Sequence, residues 1–403
     1  MTTTAAARDL AERADLLLTD HRVRAHPWAL FDEMREAAPV LRTTSGVWML
    51  TRHADCQSIL RDSRMSRKEA AARTSALSGE TAEQYTTRLV CEDGAEHRRM
   101  RKVVNQAFSA RNIARWHPLV EELANFEPLL DRHELEFLNE YARPLSVRAL
   151  CEVLGVPFED RSTLEKWMGV LLEHVTGKVD VAFATERHDA MTGIAAYLRN
   201  LLDERESDRD GGDLVSILLR AYSDEGRLSE RELIGILAEI LHAGFESTAT
   251  TMTNGLLTIL SHPEQLRLLV AQPQRATAAV EEMIRFSPPG ALRLPRVALE
   301  DVDVDGTVIP AGSMVMALTA AANRDPEVVE RPHEFDITRE PNPHITFGLG
   351  EHYCVGNGLA RSELVAAFNS MARTCLADMA IDGPIVWRDH HIVRGLEALR
   401  IRW

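Results

Sequence analysis

From Ser229 to Leu260 the chain carries no proline and is apolar almost all round. Ser229 and Glu232 stand three apart, the spacing of a capping box in which each side chain satisfies a backbone N–H of the other's turn. Apolar residues then recur through Leu233, Ile234, Leu237, Ile240 and Leu241, and His262-Pro263 ends the run. About 32 residues at roughly 1.5 Å each predict a rod on the order of 48 Å long. A helix apolar on nearly every side belongs inside a domain, so the fold must be built around this one. At its centre stand Glu246, Ser247, Thr248, Thr250 and Thr251. A buried charge is costly unless it is paired or used, so this polar run marks a candidate functional site.

The rest of the chain is mostly helical in pattern. The exception is Arg296 to Val315, where Val297, Val302, Val304, Val308 and Ile309 surround Asp305-Gly306, a pair suited to a hairpin turn. Turn signals at Asp210–Gly212, Ser287–Gly290 and Glu340–Pro343 read as loops within one domain. We therefore expect a mainly α single domain over residues 1–403 with a small β region, residues 1–20 being a loosely ordered N-terminal segment. The net charge of −15 argues against nucleic acid as the main partner, because phosphates are bound by basic patches. No apolar run approaches the ~20 residues that span a bilayer. Met1–Asp20 lacks a basic start followed by an apolar core, so no secretory leader is expected. Cys56, Cys91, Cys151, Cys354 and Cys375 are scattered without a CxxC pair, which does not suggest a disulfide framework. A cytoplasmic monomer without membrane contact is the simplest expectation.

The densest chemistry lies at Phe347-Gly348-Leu349-Gly350-Glu351-His352-Tyr353-Cys354-Val355-Gly356. Three glycines and one Cys within ten residues make a tight loop whose backbone can approach another group closely. A helix-forming stretch, Leu359 to Leu376, follows at once. The positive end of a helix dipole favours thiolate, and thiolates ligate metals. Taken alone, the Cys could equally be a buried thiol in a glycine-rich turn.

This run resembles the F-G-x-G-x-H-x-C-x-G signature of the cytochrome P450 family at every fixed position. Glu282-Met283-Ile284-Arg285 looks like the family's E-x-x-R helix, and Ala243-Gly244-Phe245-Glu246-Ser247-Thr248 like the A-G-x-[DE]-T-T run of its central helix. His97-Arg98-Arg99-Met100-Arg101 resembles its H-x-x-x-R helix. Arg296-Val297-Ala298, Ala322-Asn323-Arg324-Asp325-Pro326 and Phe335-Asp336-Ile337-Thr338-Arg339 look like segments of bacterial members, in the right order. The resemblance covers nearly the whole chain, from about Pro27 onward. It implies a haem-thiolate monooxygenase, with haem b held between the long central helix and the Cys354 loop.

On this resemblance Cys354 is the axial iron ligand, and a thiolate there favours O–O cleavage. His97, Arg101, Arg296 and His352 would meet the haem propionates, with Phe347, Gly348, Gly356, Ala243 and Gly244 also contacting the haem. Glu282 and Arg285, three apart on one helix face, can pair, and the resemblance adds Arg339 as their structural partner. Glu246, Ser247 and Thr248 would carry protons during oxygen activation. Here the chain departs from the family, which usually has Thr where Ser247 stands. A Ser hydroxyl can still donate and accept, and it can bond back to the Ala243 carbonyl. It lacks the methyl that fixes a Thr rotamer. Hydroxylation through Ser247 or an oxidative C–C or C–N coupling or ring closure are both open. Substrate contacts would fall at Val90, Leu171, Val175, Leu241, Ala291, Leu292, Ile392 and Val393, which are apolar enough to suit an apolar or aromatic small molecule.

The length leaves no room for a fused reductase, so NAD(P)H electrons are expected through a separate ferredoxin reductase and ferredoxin. Arg98, Arg99 and Lys102 form a basic cluster suited to docking an acidic ferredoxin. Bacterial members of this kind often tailor secondary metabolites. Zinc is a rival, since His352, Cys354, Cys91 and His97 are possible ligands, but none has zinc-site spacing. Dinucleotide binding fails for lack of the third glycine and of a strand–turn–helix unit. A haem sensor or carrier would have no use for the acid–alcohol run. A peroxide-driven haem enzyme stays open.

Overall fold

The computed structural model describes residues 5–78, 89–172, 181–206, 211–225, 228–290, 294–390 and 393–403. The chain is mainly helical and divides by its internal contacts into two compact units. The first comprises Met1–Tyr85, Thr253–Cys354 and Pro384–Glu397, the second Thr86–Met252, Val355–Gly383 and Ala398–Trp403. No described helix is long and apolar enough to cross a membrane.

The first unit holds a five-stranded sheet in the order Val40–Arg42, Trp48–Leu50, Met314–Ala317, Arg296–Ala298, Met65–Ser66. The pair Trp48↔Val315 is parallel and the other pairings are antiparallel. The hairpin expected around Asp305-Gly306 is present. Val302 pairs with Ile309, and both turn residues have the positive φ of a two-residue I′ turn, 49° and 79°. Within the N-terminal twenty residues, the described stretch departs from expectation. Ala5–Thr19 form a helix whose Leu10, Ala14 and Leu17 pack into one core with Phe31, Met34, Met49 and Leu318. The spacing of four and then three puts those apolar residues on one face. That face is buried, and a loosely ordered segment could not be.

The second unit is largely helices: Gly94–Ala107, Ala110–Leu123, Arg143–Leu154, Arg161–Leu172, Val181–Glu206, Leu214–Glu225 and Asn357–Arg373. Its small sheet pairs Arg400 with Glu136 and Ile401 with Ile381. Phe126, Phe137, Tyr141 and Trp403 gather at ring separations of 5.0–5.5 Å, and the Tyr141 hydroxyl donates to the Ala124 carbonyl at 2.6 Å. Just before the helix Arg143–Leu154, residues Leu138–Ala142 form a π turn.

The long helix spans Glu230–Leu260, in the second unit through Met252. Its capping box is formed: Glu232 Oε2 accepts from the Ser229 N–H at 2.7 Å, and Ser229 Oγ from the Glu232 N–H at 3.3 Å. Burial runs unbroken from Thr248 to Leu256. Ala243 and Ser247, one turn apart, are instead exposed.

Candidate active site

In the first unit, the Cys354 loop is shaped by its glycines. Gly348 and Gly350 adopt φ of 76° and 72°, a region that L side chains resist. A Cβ on Gly350 would lie 2.5 Å from the Leu60 carbonyl oxygen, so this position also needs glycine for space. The Cys354 N–H donates to the Phe347 carbonyl at 2.9 Å, and the Tyr353 N–H to that of Gly350 at 3.1 Å. These bonds fold the loop back on itself. Cys354 is half-buried, whereas Cys56, Cys91, Cys151 and Cys375 are buried. Burial pushes the Cys56 thiol up and that of Cys151 to about 11, so neither supplies a thiolate near neutral pH. Among the five, Cys354 is the accessible sulfur donor.

The loop hangs from a buried charge network. Glu282 and Arg285, on the helix Ala276–Phe286, pair bidentately at 2.7 and 2.7 Å with both side chains fully buried. Arg339 Nε donates to the same carboxylate at 3.2 Å, Asn342 Nδ2 at 3.0 Å and the Asp336 N–H at 3.0 Å. Arg285 also donates to the carbonyls of Asn323, Pro332 and Glu334 at 2.9–3.0 Å. The Arg285 guanidinium and both Glu282 oxygens are thereby fully engaged, which is what makes these buried charges tolerable. The expected trio Glu282, Arg285 and Arg339 is therefore together. Asn323 carries the linkage onward. Its Oδ1 accepts from the Ile345 N–H at 2.8 Å and its Nδ2 donates to Thr346 Oγ1 at 2.7 Å. Thr346 immediately precedes Phe347, so the network grips the base of the Cys loop. Nothing in the sequence reading had given Asn323 this role. Arg296 is buried in its strand, with Nη1 donating to the Met65 carbonyl at 3.1 Å. His352 is half-buried in the turn Gly350–His352.

In the second unit, His97 is buried on the helix Gly94–Ala107, and Arg101, one turn on, is half-buried with Nε on Asn105 Oδ1 at 2.8 Å. Arg98 and Lys102 are exposed. Arg99 is committed to Glu96 at 2.7 Å and also pairs with Glu232. Part of its charge is therefore answered by these carboxylates.

On the central helix, Glu246 is buried, and Arg143 grips it through Nε and Nη2 at 3.1 and 3.1 Å. Arg143 opens the helix that follows the π turn. No local spacing points to this partner, which lies 103 positions away. Ser247 Oγ donates to the Ala243 carbonyl at 2.8 Å, the back-bond its chemistry allows, and Thr251 Oγ1 donates to the Ser247 carbonyl at 2.7 Å. Thr248 is buried. A Cβ on Gly244 would lie 3.3 Å from Leu150, so this glycine serves close helix packing. A Cβ on Gly356 would meet nothing within 4 Å.

Of the expected substrate contacts, the Val90 N–H donates to Glu239 at 3.2 Å, one turn ahead of Ala243. Leu171 is half-buried. Leu241 is a core residue, 2 % exposed. Val393 is half-buried. Val175, Ala291, Leu292 and Ile392 lie outside the described residues.

These features fit a haem. No described group of three or more His, Cys, Asp or Glu side chains could hold a bare metal ion. Cys354 offers one soft ligand, as suits a metal that brings its other ligands with it. Ala243 and Ser247 are small and exposed, and a Cβ at Gly356 would meet nothing within 4 Å, so backbone at these positions is approachable by a flat group.

Comparison with known proteins agrees. The family model described as Cytochrome P450 matches residues 170–271 and 274–384. Cytochrome P450 monooxygenase PikC of Streptomyces venezuelae is 34% identical over 94% of this chain and 91% of its own length. The crystal structure of CalO2 superposes with a TM-score of 0.88 at 30% identity, covering 95% of this chain and 97% of that one. CxnD, described as a cytochrome P450 enzyme for C–S bond formation in chuangxinmycin biosynthesis, does so with a TM-score of 0.83 at 30% identity, covering 96% of each chain. The signature loop, its buried charge network and these matches lead to one conclusion: the chain belongs to the cytochrome P450 family and is an oxidoreductase of the monooxygenase kind.

Proposed function

We propose that this enzyme oxidises a small apolar or aromatic molecule of secondary metabolism, using dioxygen and electrons from NAD(P)H delivered by a separate ferredoxin and its reductase. The observation that carries the reading is Cys354: the accessible thiol among five cysteines, in a loop braced by Asn323 and the Glu282–Arg285–Arg339 network. Cys354 would hold the haem iron, with His97, Arg101, Arg296 and His352 receiving the propionates. When bound, the haem supplies reductive activation of dioxygen, and the thiolate favours O–O cleavage.

The chain's own part in proton handling centres on Ser247. Its hydroxyl sits on the exposed face of the central helix with its lone pairs open to a donor, and its single O–H, now on the Ala243 carbonyl, must turn away from that carbonyl to give a proton elsewhere. Both Glu246 carboxylate oxygens are held by Arg143, so a relay through Glu246 would have to open that pair. This restraint supports a second reading, oxidative C–C or C–N coupling or cyclisation without net oxygen insertion; CxnD is named for formation of a C–S bond. Labelled dioxygen separates the two: label in the product supports hydroxylation, and unlabelled, dehydrogenated product supports coupling.

The electron donor would meet the basic cluster of Arg98, Arg99 and Lys102 through its exposed members Arg98 and Lys102. Arg98→Glu with Lys102→Glu should raise the apparent KM for a ferredoxin, the more so at low salt; an unchanged KM removes the patch from consideration. The decisive first experiment is the absorption spectrum of the dithionite-reduced protein under carbon monoxide. Wild type should show a strongly red-shifted Soret band that Cys354→Ala loses. A band indifferent to Cys354, or none, would overturn the assignment.

A further inference from the structure

Two arginines are buried in the first unit with no ion pair to a carboxylate among the described residues. Arg324 is 6% exposed and Arg394 is 7% exposed. Aromatic rings cover their faces instead. The Arg324 guanidinium lies 3.6 Å from the centre of the Trp28 ring and 4.2 Å from that of Phe286. The Arg394 guanidinium lies 4.0 Å from Trp387 and 5.1 Å from Trp28. Ring and cation thus alternate through Phe286, Arg324, Trp28, Arg394 and Trp387, and His26 meets Trp387 edge-on at 5.8 Å. Burial draws both guanidiniums down to about 9, with Arg285 and Arg394 repelling Arg324 as well; both remain charged at neutral pH. A cation on a ring face is attracted by the ring quadrupole, more strongly where water is excluded. A planar guanidinium can use both its faces in this way, which an ammonium cannot.

Arg394 is also tied along its backbone and its edge. Its N–H donates to the Pro289 carbonyl at 2.6 Å, and its own carbonyl accepts from Asn254 Nδ2, on the central helix, at 2.8 Å. Its Nε donates to the Ala25 carbonyl at 3.0 Å and its Nη1 to Ser287 Oγ at 3.1 Å. The surrounding segment turns back on itself. Trp387 pairs with Leu396, the Arg388 N–H donates to Gly395 at 2.9 Å, and the Val393 N–H to His390 Nδ1 at 3.0 Å. One residue therefore joins the N-terminal segment, the central helix, the loop after Ser287 and the turn bearing Val393.

We propose that Arg394 is a positioning residue for substrate specificity: stacked between Trp28 and Trp387, it fixes the turn that carries Val393 against the loop that follows Ser287. This rests on the reading above that Val393 belongs to the substrate wall of a haem site. A lysine at 394 keeps the charge and most of the length but loses the plane and the fork. The wall then shifts while the haem ligation does not.

The test uses the full haem-loaded chain, wild type, Arg394→Lys and Trp387→Leu. Trp387→Leu removes one ring face and leaves the guanidinium bonds, so it keeps the test available should Arg394→Lys not accumulate. Two iron-binding probes of different reach are titrated optically, imidazole and 4-phenylimidazole. Expected are an unchanged reduced carbon-monoxide band, imidazole affinity within about two-fold of wild type, and 4-phenylimidazole affinity altered by about ten-fold, the equivalent of one lost buried ring contact. Unaltered 4-phenylimidazole affinity in the folded variants overturns the proposal. So does equal weakening of both probes, which would make Arg394 a support of the fold at large. A wild-type protein without the thiolate band would instead sink the haem reading itself.

Discussion

Replacing Glu363 by Gln removes an ionisable group from the interior of the second unit and should change how stability depends on pH. Glu363 lies on the helix Asn357–Arg373, 3% exposed, and its Oε2 makes no hydrogen bond among the described residues; nor does the buried Ser146 Oγ. Burial pushes the carboxyl from its ordinary 4.5 up to about 8. The folded protein therefore keeps a proton that the unfolded chain gives up above 4.5. Stability is full below that value and declines by about 1.4 kcal/mol per pH unit as pH rises to 8, then levels off. The whole loss is on the order of 5 kcal/mol. Gln matches the protonated acid in shape and does not titrate, so Glu363→Gln should equal wild type near pH 4.5 and exceed it increasingly up to pH 8. Urea midpoints of the haem-loaded proteins at pH 5, 6, 7, 8 and 9 measure the difference. A gap independent of pH would mean that Glu363 is solvated or paired, and the reasoning from its burial would be wrong.

Arg339→Met leaves the Glu282 carboxylate with fewer donors in a dry site and should cost about 3–5 kcal/mol, read as a lower urea midpoint and poorer haem retention; an unchanged midpoint would count against a structural role. Gly350→Ala combines positive φ with a backbone collision at Leu60 and should cost about 1–3 kcal/mol. Gly94→Ala is its control, since φ is 61° there but a Cβ meets nothing within 4 Å, and it should cost less by thermal midpoint. Ser247→Ala should lower product formation by about 100-fold, and Ser247→Thr should restore it, once product screening has found a substrate that turns over. Full activity in Ser247→Ala would move proton handling elsewhere.

The features legible in the sequence are those carried by local spacing. Ser229 and Glu232 announce the start of the long helix, Asp305-Gly306 the hairpin, and Glu282 with Arg285 an ion pair one helical turn long. The Cys354 loop was legible for the same reason, because its glycines stand where φ must be positive. What escaped depends on partners far apart in the chain. Arg143 reaches Glu246, and Arg394 stacks on Trp28, without any period linking them. The N-terminal helix was misjudged for another reason. Its buried face is built partly from alanines, which look neutral in sequence and find their use in tight packing against Phe31 and Met34.

The Glu282 network has a consequence for how such a chain can diverge. Five donor groups converge on one carboxylate. A single substitution at Glu282 strands two guanidiniums, and one at either arginine strands a carboxylate. Changing all of them at once is not a step available to point mutation, and each intermediate on the way is a poorly folded protein. The network is thus held in place by the steepness of the ground around it, whatever its benefit to any one reaction. Val90, Leu171 and Val393 bear no comparable set of obligations. Descendants of this chain would therefore be expected to acquire new substrates through positions like these while the brace beneath the cysteine stays as it is.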